Sequence, residues 1–338
     1  MLATAIGWLG QLLTPPMPAC LAAALDSIGP TWRHELTASL PEGERYKATR
    51  SARPSAYRRA LNLFLEILTL HGVPLLCAQG YEADDVIATA TGEALALGLD
   101  VAIVSGDKDL GALVYRDLRS VWQWAWSGTK TASDIRGPAE IVRGFGVLPR
   151  LVPDFLAIVG DVSDNVPGVD GVGDVWAAKV LALADAYRDQ VPAPTLIAAM
   201  MDMQPKPPTD DAIGLAEKEH ARLKRAKPNA LSDEAVRRRE QQIAEAKARL
   251  DGLRHQRDLA KRFEMVQRSR ETVLLARELV TLRTDAPILG WDPARLPIGG
   301  FDVEALRDLY RSEELGWFKL AAELRPMNKR QIEEILSK

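Results

Sequence analysis

The sequence predicts an α/β fold: a parallel sheet with a site on the carboxyl rim of its strands, followed by an all-α second half that holds a charged helical hairpin. Three observations carry that expectation. Residues 100–105 (DVAIVS) are apolar and β-branched, and they follow Val86, Ile87, Ala90, Ala94 and Leu97, which recur at helical spacing before Gly98 closes the helix. Acidic residues flank that helix–strand unit, with Glu82, Asp84 and Asp85 before it and Asp107 and Asp109 after it. Residues 217–270 carry 16 Lys and Arg against 9 Asp and Glu, and Val236, Ile243 and Leu250 repeat there at seven, with Ala246, Leu253 and Ala260 beside them, as in a short coiled-coil seam.

The elements follow in order. Leu2, Ile6, Leu9 and Leu13 mark a first helix, which Pro15, Pro16 and Pro18 end. Residues 19–25 (ACLAAAL) read as a buried strand with Asp26 at its carboxyl end, the rim position that Asp107 takes on the later strand. Seven cations come next, Arg33, Arg45, Lys47, Arg50, Arg53, Arg58 and Arg59. Such a run either holds substrate phosphates or forms a solvated loop. Leu61, Phe64, Leu65 and Leu68 give a helix closed by His71 and Gly72, and residues 73–77 form a short strand. A short helix covers 110–113. Residues 120–126 (SVWQWAW) alternate, which puts Trp122, Trp124 and Trp126 on one strand face, read as packed core in preference to a base-stacking surface.

Helices at 138–145 and 149–159 lead to a second acidic pair, Asp161 and Asp164. Gly168, Gly171 and Gly173 then form a turn that opens an amphipathic helix near Asp174. Glycines before a helix N-terminus let backbone N–H groups approach a phosphate, and they equally serve a tight turn between helices. Residues 192–208 are proline-rich, include Met200, Met201 and Met203, and read as a linker or loop. Pro228 divides the charged stretch 216–270 into two antiparallel arms, which could follow a DNA backbone, stand in solvent or contact a protein. Helices at 272–282 and within 302–324 complete the chain, with Leu306, Leu309 and Leu315 as core candidates.

A helix followed by a strand runs out and back, so its two acidic clusters share one rim, where open α/β sheets build their sites. Five carboxylates gathered there repel one another, and some must protonate unless cations neutralise them. Hard divalent cations with oxygen ligands are the simplest remedy. The net charge of −3 favours no partner class by itself. Cys20 and Cys77 lie in apolar runs and read as reduced core residues of a cytoplasmic protein. The four histidines have no metal-ligand spacing, and the apolar start of the chain is too short to span a membrane.

With DSIGPTWRHEL, YKATR, GYEADDVIATA, SGDKDL and VGDVSDNVPGVDGVGDVWAAKVL in this order, the chain resembles the 5′–3′ exonucleases of the flap endonuclease superfamily, most of all the exonuclease domain at the start of bacterial DNA polymerase I. The resemblance covers residues 5–190 and resumes at 271–324. It implies a PIN-like parallel-sheet nuclease domain at 1–148, a helix–three-turn–helix DNA-binding region at 149–200, the charged helical insertion at 201–270 and a C-terminal helical part at 271–338. It also implies that Asp26, Glu82, Asp84, Asp85, Asp107, Asp109, Asp161 and Asp164 hold two or more Mg²⁺ or Mn²⁺ ions. Arg33, Lys47 and Arg50 would grip the scissile phosphate. Gly168, Gly171, Gly173 and Lys179 would bind the backbone of branched or 5′-ended duplex DNA, with K⁺ at the glycine turn.

Three departures accompany the likeness. The family's first strand, which ends in an Asp ligand, has no counterpart here, so open sheet edges and one carboxylate fewer are expected. Val175 and Trp176 stand where the turn motif carries a Lys. The arm at 216–270, a possible site for a protein partner, is an insertion. The expectation is a stand-alone nuclease, and the alternative is a catalytically impaired DNA-binding relative.

Overall fold

The computed structural model describes residues 18–51, 54–124, 135–186, 194–204, 206–225, 233–288 and 302–312, together with Leu9, Leu12 and Trp291. The chain divides into two compact units: Met1–Ile141 with Ser163–Asn165 and Thr281–Lys338, and Val142–Val162 with Val166–Val280.

In the first unit, β1 (Ala23–Ala24) and β2 (Leu75–Leu76) pair in parallel, and β3 (Val101–Val104) pairs in parallel with β5 (Ser120–Trp124). β4 (Tyr115–Arg116) and β6 (Ile135–Arg136) add to β5 antiparallel. The parallel α/β sheet is thus present, as two separate pieces among the described residues. The helices are α1 (Trp32–Leu36), α2 (Ser55–Leu70) and α3 (Ala83–Ala96), with α4 (Pro138–Phe145) at the boundary with the second unit. Gly98 has φ +78°, the left-handed conformation that ends α3 at little steric cost. Leu9, Ile67, Leu68 and Val73 bury against Leu306 of α11 (Val303–Ser312), so the returning C-terminal segment completes this core. Leu309 packs beside it, whereas Leu2, Ile6, Leu13, Leu315, Arg53 and Trp126 lie outside the described residues.

Three sequence expectations are corrected here. Trp122 and Trp124 share a face, but that face is half-exposed, and the other one, Val121 and Gln123, is the buried one. Val121 meets Ile103 and Leu110, and this core takes the smaller side chains. Both cysteines are free, but Cys77 is exposed and Cys20 half-buried, because strands of two residues each end before the apolar letters around them do. Residues 192–208 are not a plain linker. They contain α7 (Leu196–Met200), with Met200, Met201 and Met203 all buried. Thr195 caps it by accepting from the Ala198 N–H, and Asp154 accepts from the Ile197 N–H.

The second unit is helical. α5 (Val152–Val159) leads through the glycine turn to α6 (Asp174–Asp185), and after α7 come α8 (Asp210–Arg225), α9 (Asp233–Arg268) and α10 (Arg270–Leu279). α8 and α9 are the antiparallel arms, joined by Glu217–Arg254, Glu219–Arg249 and Asp210–Arg257 ion pairs. The heptad seam is only partly used. Leu250 buries with Ile213 and Ala216, while Val236 is exposed.

Gly160 (φ +82°) and Gly168 pack backbone to backbone, and a Cβ on Gly168 would stand inside the Val159 carbonyl. Gly168→Ala is therefore expected to cost about 3 kcal/mol or more. Gly173→Ala, whose Cβ meets open space, should cost less than about 1 kcal/mol. Urea unfolding of the two variants would test this, and equal midpoints would refute it.

Candidate active site

The rim predicted from the helix–strand unit exists, and it is built in two halves of opposite character. In the first half the chain supplies its own counter-charges. Arg33 donates Nη1 and Nη2 to the two Asp85 oxygens at 2.7 and 2.9 Å, with the side chains 3% and 0% exposed. Asp85 also accepts from Trp32 Nε1, the Glu82 N–H and the Arg283 N–H. Arg33 Nη2 further donates to the Thr281 carbonyl. Glu82, buried, accepts from Lys47 Nζ at 2.6 Å and from the Tyr46 hydroxyl at 2.9 Å. Asp164 is reached by the same Tyr46 hydroxyl at 2.8 Å and by Arg50 Nη2 at 2.5 Å. Burial, reinforced by the negative charge of Glu82, drives the Tyr46 hydroxyl far above its ordinary range, so it keeps its one proton, which lies between the two carboxylates.

This half rests on two loops that clasp each other inside the first unit. The Lys47 N–H donates to the Asp164 carbonyl, and Asn165 Nδ2 donates to the carbonyls of Gly43 and Arg45. Lys47 (φ +55°) and Asn165 (φ +58°) both hold left-handed backbone, strain that a non-glycine residue keeps only where its surroundings enforce it.

The second half gathers like charges. Asp84 is pushed up to about 7, first by burial and then by the charges of Asp107, Glu82 and Asp26. Asp26 Oδ1 accepts from the Ala83 N–H at the start of α3. Asp107 Oδ1 accepts from the Asp109 N–H, and Ser105 Oγ accepts from the Asp107 N–H, so the turn after β3 orients its own carboxylates. Among the described residues, no three acidic, histidine or cysteine side chains close on one point tightly enough to enclose an ion. The donors are nevertheless all carboxylate oxygens, the set that hard divalent cations take.

Of the rim carboxylates expected to protonate unless cations neutralise them, two find those cations within the chain. Glu82 and Asp85 are neutralised by Lys47 and Arg33, and the unbalanced group is Asp84 with Asp26 and Asp107. Likewise Arg33, Lys47 and Arg50 are each engaged by a carboxylate, and Arg33 is buried. Tyr46, Gln123, Trp32 and the segment from Thr281 to Arg283 were not singled out from the sequence. Tyr46 and Trp32 did carry a signal, Tyr46 beside Lys47 in YKATR and Trp32 beside Arg33 in DSIGPTWRHEL.

A carboxyl whose folded value lies above its ordinary 3.8 holds its proton more tightly in the folded chain. Its contribution to stability is complete below about pH 4 and is lost as pH rises through about 7, at about 1.4 kcal/mol per pH unit. Asp84→Asn should therefore raise the melting temperature of the ion-free protein at pH 8 and leave it unchanged at pH 4. A lower melting temperature at pH 8 would refute this.

In the second unit, Asp161 is buried and forms a two-residue bridge with Val166. Gly171 (φ +76°) shapes the turn, Gly173 is the residue before α6, and Lys179 is exposed on that helix. Trp176 stacks on His255 of α9 at 5.4 Å, with the Arg262 and Lys179 cations 4.1 and 5.0 Å from its ring. The inserted arm is thus anchored beside the glycine turn. Among the described residues, no helix is long and apolar enough to cross a membrane.

Residues 2–146 match the family described as 5′-3′ exonuclease, N-terminal resolvase-like domain. DNA polymerase I of Mycobacterium tuberculosis is 36% identical over 183 residues, 54% of this chain and 19% of that protein. The 5′-3′ exonuclease of Aquifex aeolicus is 35% identical over 171 residues, 51% of this chain and 55% of that protein. The match therefore spans less than two thirds of either relative's length. Among solved structures, the T5 D15 protein co-crystallised with metal ions is similar at 17% identity and TM-score 0.51, over 83% of this chain and 82% of that one. A T5 flap endonuclease in complex with DNA and metal ions is similar at 16% identity and TM-score 0.50, over 83% and 80%. The acidic rim and the parallel strands thus lie within residues 2–146, the stretch that matches the 5′-3′ exonuclease, N-terminal resolvase-like domain family and is similar in sequence to the exonuclease of Aquifex aeolicus.

Proposed function

We propose that this chain acts as a 5′–3′ exonuclease and flap endonuclease that hydrolyses DNA phosphodiesters with two divalent ions at the acidic rim. The observation that carries the reading is the grouping of Asp84, Asp26 and Asp107 on one rim, where burial first and then the neighbouring negative charges push the Asp84 carboxyl up to about 7. Asp26, Glu82, Asp84, Asp107 and Asp109 would hold Mg²⁺ or Mn²⁺, with Asp164 completing the set and Asp85 orienting the start of α3 through Arg33. Such a pair of ions would supply an activated water and stabilise the leaving oxygen.

Lys47 and Arg50 already lie among carboxylates and carry the charge to hold a phosphate. In this reading, residues 149–200 form the helix–three-turn–helix region. Gly168, Gly171, Gly173 and Lys179 would contact the duplex backbone by shape and charge, with K⁺ held by turn carbonyls. Residues 201–270 are the helical insertion, 271–338 complete the exonuclease part, and the protein works in the cytoplasm.

The test is cleavage of 5′-flap and 5′-ended duplex DNA in Mg²⁺, Mn²⁺ or EDTA. The reading expects product with either ion and none with EDTA. Retarded migration of branched DNA with no cleavage in Mn²⁺ would replace it with the catalytically impaired DNA-binding relative.

A further inference from the structure

We infer that Gln123 is a positioning residue for the divalent ion, acting through the Asp107 turn. The inference rests on the metal reading above. Gln123 is 0% exposed and is the one amide among the buried polar side chains of the described residues. It sits on β5 between Ile103 of β3 and Arg136 of β6, on the buried strand face that also carries Val121. From there Nε2 donates to the Ser105 carbonyl at 3.0 Å and to the Asp107 carbonyl. Those two carbonyls bracket the turn that carries Asp107, and the same turn is pinned from inside by Ser105 Oγ and Asp107 Oδ1. Gln123 thus ties the carboxylate-bearing turn to the rigid middle strand of its sheet.

Stability alone argues against an amide here. Its Oε1 is buried with no hydrogen-bond partner among the described residues. An orphaned acceptor of this kind is destabilising, and a methionine of similar length would avoid it. The residue therefore serves its donors. Groups that orient a metal-binding carboxylate in this way typically change ion affinity by about 10–100-fold when lost.

The experiment compares wild type, Gln123→Met and Val121→Ala. Val121→Ala thins the same core without touching the turn. Mn²⁺ binding is read by electron paramagnetic resonance, alongside melting temperature and the KM for flap DNA. Gln123→Met should weaken Mn²⁺ binding by about tenfold with an unchanged or higher melting temperature and an unchanged KM for DNA. Val121→Ala should melt earlier and bind Mn²⁺ as wild type does. Wild-type Mn²⁺ affinity in Gln123→Met, or an equal loss in Val121→Ala, overturns the inference while the metal reading stands. A wild-type protein that takes up no Mn²⁺ removes both.

Discussion

Asp107→Ala is expected to lower Mg²⁺-dependent cleavage of 5′-flap DNA by at least about a thousandfold, or ~4 kcal/mol. The reason is the asymmetry of the rim. Glu82 and Asp85 each already face a cation of the chain, so neither is first to meet an incoming ion. Asp107 is exposed, sits on a pinned turn and lends its charge to Asp84. Removing it leaves that group one carboxylate short and takes no buried side chain from the core. The melting temperature should therefore move little. Without Asp107, the Asp84 carboxyl loses its largest charge neighbour and should titrate nearer the ordinary carboxylate range. A steady-state assay with a folded-state control by circular dichroism decides the matter. Retention of more than about a tenth of wild-type activity would remove Asp107 from the catalytic set.

Arg33→Ala is the substitution with the largest expected effect on stability, about 3–5 kcal/mol. The pair it breaks is buried and bidentate, and the carboxylate left behind still accepts from Trp32, Glu82 and Arg283. An unpaired buried charge costs far more than the pair itself contributes. Arg33→Lys is not a mild change, because an ammonium cannot span both Asp85 oxygens and the Thr281 carbonyl. Replacing both partners together, Arg33→Leu with Asp85→Leu, should recover much of the loss. Urea midpoints of the singles and the double form the cycle. A single-variant loss below about 1 kcal/mol, the range of surface pairs, would refute the reading of Arg33 as a structural cation.

Much of this was legible in the letters. Strand β3, helix α3 with Gly98 behind it, and the convergence of Asp84 and Asp107 follow from periodicity and from the geometry of a helix–strand return. What the sequence could not show was how charges divide among themselves. Whether Arg33 faces a phosphate or Asp85 depends on contacts between residues 52 apart, which no local pattern encodes. The tryptophans misled for a related reason. Alternation marks two faces of a strand but not which one is buried, and at β5 the core chose valine and glutamine over indole. The methionine segment misled because its prolines flank a short helix that they do not interrupt.

The two sheet fragments carry a practical consequence. β1, β2 and β3 are each hydrogen-bonded on one side only among the described residues, and rails of amide and carbonyl groups on such edges are what a neighbouring chain pairs with. In concentrated solution those rails invite chain-to-chain zippering. A short β-forming peptide that seats in one of them should act as a plug and keep the protein from clumping.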